Sequence, residues 1–290
     1  LAQQGICYAA TGRENAKGAI YHTAHHIIAR QMHSQFYDSE TYNNLKQKFR
    51  DETTSHDAIL LSSERFDTIT DMDLITDFFE GFDISIICYL REHLEFAQSM
   101  YANRVQNHTF FSSFDYYAEH FTPNLDAYIA QWDSIASETV FKYYNRQHLK
   151  YGNIIDDFIE TLGRSELDAS NTPSNIINLS ISGNLLSFKL LLNSFQLAGD
   201  IHKNVFGSLA AQDPRYTGKF HIGPDLSARI RGASAYNAKL TSLFGDIPLR
   251  DYSCEPPLFD PETWQQDLEI FLGRKELAHL HEHPLFARMR

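Results

Sequence analysis

Hydrophobic and polar residues follow two patterns along the chain, one typical of short buried strands and the other of amphipathic helices. Apolar runs bounded by polar residues predict strands at 5–9, 57–62, 83–90 and 139–144. Apolar residues that recur every three or four positions predict helices between and beyond these strands. The predicted helices span 22–36, 39–51, 70–79, 92–105, 125–135, 153–162 and 182–195. This alternation predicts an α/β fold, with a central parallel sheet flanked by helices and a helical C-terminal portion.

Composition and charge limit the class of protein. The chain has 290 residues, 43% hydrophobic and 21% charged, which excludes collagen-like and largely disordered proteins. Its formal net charge of −12 argues against nucleic acid as a partner, so a bound anion needs a local basic pocket. Cys7, Cys88 and Cys254 are scattered and form no CxxC pair, which favours a reducing, cytoplasmic location. The longest apolar run, 84–90, is far shorter than the roughly 20 residues that cross a bilayer, so we expect no transmembrane segment.

Polar side chains follow two of the predicted strands, at the carboxyl ends where open parallel sheets bind ligands. Ser63 and Glu64 follow the second strand, and Arg91 follows the third, just before a helix that carries Ser99. A guanidinium beside the first N–H groups of a helix is well placed to bind phosphate or sulfate. Eight residues of continuous helix would separate Arg91 from Ser99 by about 12 Å. The two side chains can therefore share a ligand only if Arg91 lies outside the helix and folds back over it.

These segments resemble the sulfotransferase superfamily, whose members use 3′-phosphoadenosine-5′-phosphosulfate (PAPS). In segment 89–101 a strand ends in Arg and a Ser follows eight residues later; Tyr101, two residues further, is typical of the bacterial polysaccharide branch. Segments 60–64 and 141–163 are similar to the same branch and stand in the same order. The resemblance covers roughly residues 5–245. It implies a three-layer, P-loop-NTPase-like domain over 1–245, with 246–290 as a C-terminal extension packed on it.

The resemblance also implies an activity and a site. Arg91 and Ser99 would hold the 3′-phosphate of PAPS, Ser63 would be a polar neighbour in the nucleotide site, and Glu64 would be the catalytic base. The reaction would transfer a sulfuryl group to a hydroxyl of a carbohydrate or polysaccharide, with PAPS as co-substrate and no metal.

Histidines offer an alternative base. His22 and His26 are one helical turn apart, whereas His25 points about 100° away from His26. Imidazole suits proton transfer, so His25 or His26 would line the acceptor side, unless the cluster is only a solvated or structural helix face. The segment 279–283 carries three alternate histidines and would bind a metal only if extended, whereas its flank favours a helix.

The family's Lys-x-Gly-Thr-Thr-like loop, which cradles the phosphosulfate, does not occur in this sequence. We expect that loop upstream of the strand at 5–9, with residues 1–4 as the end of the helix that follows it. Without the loop, the alternative is a non-catalytic nucleotide- or glycan-binding protein on the same fold. A P-loop kinase relative would instead need a Walker-type loop and a magnesium-binding carboxylate, for which Glu64 is a poor match.

Overall fold

The computed structural model of the chain describes residues 5–13, 24–107, 109–163, 180–197 and 203–287; residues 1–4 and His22 lie outside them. The strands in these ranges are β1 Ile6–Tyr8, β2 Ala58–Leu60, β3 Ser85–Leu90 and β4 Glu138–Tyr143. The α-helices are α1 His26–Gln31, α2 Ser39–Thr53, α3 Met72–Phe78, α4 His93–Asn107, α5 Phe114–His120, α6 Leu125–Asp133, α7 Ile154–Thr161, α8 Gly183–Ser194, α9 Lys203–Gln212, α10 Pro224–Gly232, α11 Ala235–Phe244, α12 Trp264–Leu272 and α13 Pro284–Ala287. All four predicted strands are confirmed, and each predicted helix overlaps an observed one.

The chain divides into two units, of which the first comprises Leu1–Leu90 with Leu125–Asn171. Its strands form two parallel pairs: β1 with β2, where Cys7 lies opposite Ile59, and β3 with β4, where Ile87 lies opposite Val140. Within the described residues no ladder joins the two pairs. The protein is thus mixed α/β, with two small parallel sheets.

One hydrophobic cluster contains residues from both strand pairs of the first unit. Helices α1, α2 and α3 contribute side chains that are almost fully removed from water, among them Ile28, Phe49 and Phe78. Polar residues fix the helix ends. The Asp38 carboxylate accepts the Thr41 N–H at 2.8 Å at the start of α2, which satisfies one of the first unpaired N–H groups. Short helices with defined caps therefore pack around the sheets.

The second unit comprises Arg91–Asn124 with Thr172–Arg290, and its described residues are helical or irregular. Its core is a separate hydrophobic cluster built largely on α4, α8, α9 and α12. Residues 246–290 belong to this unit together with 91–124 and 172–245. Throughout the described part of the chain, no helix has the length and apolar composition that a membrane crossing needs.

Candidate functional site

Arg91 and Ser99 lie in contact in the second unit. Helix α4 begins at His93, so Arg91 stands outside it and its side chain turns back along the first two helical turns. The Arg91 Nη1 donates to the Ser99 Oγ at 3.0 Å, and both residues are half-buried. The condition that the spacing imposed is therefore met: a guanidinium and a hydroxyl meet beside the N-terminus of a 15-residue helix. A cation and a hydroxyl that lie together are suited to bind an anion.

A buried polar network fixes the start of α4, and with it the direction of Arg91. The Glu92 carboxylate is 1% exposed and accepts the Asn237 Nδ2 at 2.7 Å and the Glu95 N–H at 3.1 Å. The Asn237 Oδ1 in turn accepts the His93 N–H at 2.9 Å. Arg231 reaches the same carboxylate at 3.4 Å. Two of the first N–H groups of α4 and a buried charge are thus satisfied by one interlocked set of side chains.

Lys219 adds a second cation near Arg91. Its ammonium is 3.9 Å from the Glu95 carboxylate, and its side chain is 19% exposed. Burial, with smaller contributions from the Arg91 and Arg250 cations, lowers the pKa of Lys219 to about 8 against the opposing Glu95 carboxylate. An anion bound beside Arg91 would relieve this repulsion between like charges. Sequence analysis missed Lys219 because a single lysine before a turn carries no periodic or motif pattern.

In the first unit, Ser63 and Glu64 follow β2 as predicted. The Ser63 hydroxyl accepts the Arg65 N–H at 3.1 Å, which caps the 3-10 helix Glu64–Thr68. The same hydroxyl lies 2.9 Å from the His26 Nδ1. Glu64 is exposed on this short helix, while Ser63 and His26 are half-buried. The structure therefore brings Ser63 and His26 together and leaves the Glu64 carboxylate accessible to solvent.

His25 is placed quite differently from His26. It is fully buried; its Nδ1 accepts the Ser62 N–H at 3.0 Å and its Nε2 donates to the Ala9 carbonyl at 2.9 Å. Burial lowers the pKa of His25 against the opposing effect of the Ala9 and Ser62 carbonyls, which fits a neutral ring. Both nitrogens thus join the ends of β1 and β2, which is a structural role. Of the two predicted histidines, His26 is the better placed for proton transfer.

Asp67 is a carboxylate that sequence analysis did not single out. Loss of water around the carboxyl group, and secondarily the Glu64 carboxylate, raise the pKa of Asp67 to about 6. Burial raises the pKa values of Cys88 and Tyr128, and the Asp67 charge adds to both effects, although Asp67 as a residue is exposed. A carboxyl group with a pKa near neutrality is suited to accept or donate a proton.

Metal ligands do not cluster in the part of the chain that the structure describes: no three His, Cys, Asp or Glu side chains lie together as such a site requires. The histidines of 279–283 begin at the end of a 3-10 helix, Lys275–Leu280, rather than on an extended strand. The His281 Nε2 contacts the Leu272 carbonyl. The alternating face that a metal site would need there is not formed.

Comparison of the chain with protein-family models, with curated proteins and with solved structures returns no match. The resemblance to sulfotransferases therefore depends on the sequence motifs alone.

Proposed function

We propose that the chain is a PAPS-dependent sulfotransferase that acts on a hydroxyl of a carbohydrate or polysaccharide. The observation that carries this proposal is the 3.0 Å contact between Arg91 and Ser99 beside the start of α4. Spacing alone would place these residues about 12 Å apart along a helix, so their contact needs a chain that turns at Glu92. The buried Glu92–Asn237 network provides that turn.

Arg91, Ser99 and Lys219 are the candidate groups for the 3′-phosphate. The guanidinium offers two N–H donors to a phosphate, the Ser99 hydroxyl offers a third, and Lys219 adds positive charge. Such contacts are strong because the side chains are half-buried and thus less well solvated. On a chain of net charge −12, Arg91 and Lys219 form a local basic cluster, which also contains the Glu95 carboxylate.

The resemblance places the candidate base just after β2. Sulfuryl transfer resembles phosphoryl transfer, in which catalysis depends mainly on alignment of the reactants and on stabilisation of charged oxygens. The acceptor oxygen forms a bond to sulfur as the bond from sulfur to the leaving phosphate oxygen breaks, and the hydroxyl proton passes to a base. Glu64 is the first candidate for that base, and His26, held by Ser63, is the second. A positioned base contributes about 10²–10⁴-fold to the rate.

The finer fold is part of the proposal. Two-stranded parallel sheets are seldom stable alone, and parallel strands are usually buried on both faces. The β1–β2 and β3–β4 pairs contribute to one hydrophobic cluster, yet β2 and the inner part of β3 are only half-buried. A three-layer fold with one central parallel sheet, as the resemblance implies, would bury these strands on both faces. The three free cysteines support a cytoplasmic location.

The experiment measures formation of adenosine 3′,5′-bisphosphate from PAPS by the full-length protein in the presence of unsulfated polysaccharides. We expect acceptor-dependent turnover, reduced at least tenfold by Arg91→Ala, because charge-assisted bonds contribute about 1.5–3 kcal/mol. Arg104→Ala, an exposed arginine on the same helix, is the matched control and should retain wild-type turnover. Binding of the bisphosphate without turnover on any acceptor would favour the non-catalytic alternative.

A further inference from the structure

Tyr151 occupies a tight turn that disfavours its side chain. Tyr151 has φ 53° and ψ 20°, Gly152 has φ 69°, and the Asn153 N–H donates to the Lys150 carbonyl at 3.0 Å. These angles and this hydrogen bond define a type I′ turn, in which Asn or Gly is favoured at the position of Tyr151. A residue with a larger side chain is strained there, because in left-handed backbone its Cβ crowds a carbonyl oxygen.

The strained residue gains no burial in return. Tyr151 is 86% exposed, the highest value among the exposed large hydrophobic residues in the described part of the chain. The Lys150 ammonium lies 5.6 Å from the centre of its ring and also pairs with Glu160. A large aromatic ring is therefore held in water at a cost in backbone energy, which is typical of positions under functional selection.

A buried carboxylate anchors the turn. The Lys150 N–H donates to the Asp157 carboxylate at 3.0 Å, and Asp157 is only 3% exposed. That carboxylate also accepts the Tyr89 hydroxyl at 2.8 Å and the Lys142 ammonium at 2.5 Å, so it links the turn to β3 and β4. These contacts lower the pKa of Asp157 against the effect of burial, which keeps the anchor ionised. The Tyr151 ring thus lies on an anchored turn, beyond the carboxyl end of β4.

We propose that Tyr151 is a stacking platform for a pyranose ring, an inference that rests on the proposed function because the sugar would belong to the acceptor glycan. The C–H groups on one face of a pyranose pack against an aromatic ring, while its hydroxyls need polar neighbours. Residues 145–148, which lead into the turn, are Asn, Arg, Gln and His, and the last three are exposed. An isolated ring among polar side chains fits a sugar better than a protein partner, whose interface core would bury several apolar residues.

The test is saturation-transfer NMR on the full-length protein, without nucleotide, against chondroitin, heparosan and maltose hexasaccharides. We expect at least one of them to bind, and Tyr151→Asn to weaken that binding about 3- to 10-fold. Because Asn suits the turn, the same change should keep or raise the melting temperature, by about 2–4 °C at most. Tyr151→Phe keeps the ring and should retain binding. Tyr116→Asn removes an exposed tyrosine of the second unit and is the matched control.

Three results would overturn the inference. The first is that none of the three hexasaccharides shows a saturation-transfer signal with the protein, and the second is that Tyr151→Asn binds them as well as the wild-type protein does. The third result is that Tyr151→Asn weakens binding of adenosine 3′,5′-bisphosphate and leaves binding of the sugar unchanged. The proposed function fails separately. Tyr151-dependent sugar binding without sulfuryl transfer would contradict the transferase alone, whereas transfer with an unchanged acceptor KM in Tyr151→Asn would contradict the platform alone.

Discussion

Asn237→Ala tests whether the network beneath α4 holds the start of that helix. The substitution removes the 2.7 Å bond to the buried Glu92 carboxylate and the 2.9 Å bond from the His93 N–H. A bond to a charged group contributes about 1.5–3 kcal/mol and one to a backbone amide about 0.5–1.5 kcal/mol. Their combined loss predicts a fall of about 2–4 kcal/mol in the free energy of unfolding of the second unit.

The assay is urea denaturation followed by tryptophan fluorescence. Trp132 belongs to the first unit and Trp264 to the second, so a Trp132→Phe background leaves Trp264 as a reporter of the second unit. With a slope of about 2–3 kcal/mol per M, the midpoint should fall by about 1–2 M. Thr241→Ala, on the exposed side of α11, is the control and should change the midpoint little. A loss below about 0.5 kcal/mol for Asn237→Ala would show that the network does not fix this helix.

Three further predictions follow from the candidate site. Glu64→Gln should cut turnover at least tenfold, while the nucleotide affinity measured by calorimetry stays within twofold. A positioned base typically contributes about 10²–10⁴-fold to the rate. Wild-type turnover in this variant would assign the base role to His26 or Asp67 instead. The pKa of Asp67 is raised to about 6 in the folded protein. The protonated carboxyl group therefore contributes its full stability to the fold below about pH 4, and this contribution is lost as the pH rises through 6. Asp67→Asn should therefore raise the melting temperature at pH 7.5 but not at pH 4, and an equal shift at both would contradict a perturbed carboxyl. Lys219→Met should weaken adenosine 3′,5′-bisphosphate about 3- to 10-fold in calorimetry, and unchanged affinity would exclude Lys219 from the site.

Local pattern was enough to predict the strands and most of the helices of the first unit. Runs of β-branched residues and helical spacing are properties of neighbouring residues, so β3, α2 and α7 appear close to their predicted limits. Helix α5, Phe114–His120, was not predicted. The sequence likewise gave no indication that the described strands would form two separate pairs, since strand pairing depends on contacts between distant segments.

Contacts between distant segments also limited what the sequence could predict about the candidate site. The eight-residue spacing required Arg91 to lie outside the helix and to fold back over it. In the structure Arg91 precedes α4 and contacts Ser99. The groups that enforce this geometry come from far along the chain: Asn237 lies 145 residues from Glu92, and no local pattern connects them. His25 and His26 are adjacent in sequence, yet only the first is buried between two strands. The sequence shows where a histidine stands in the chain, but tertiary packing decides whether its side chain is buried.

The central claim is that Arg91 and Ser99 bind the 3′-phosphate of a nucleotide. The most direct measurement compares calorimetric affinities of adenosine 3′,5′-bisphosphate and adenosine 5′-monophosphate for the full-length protein and for Arg91→Ala. If Arg91 contacts the 3′-phosphate, the substitution weakens the bisphosphate about 10- to 100-fold and the monophosphate less than about twofold. Equal losses for the two nucleotides, or no loss for either, would contradict the claim.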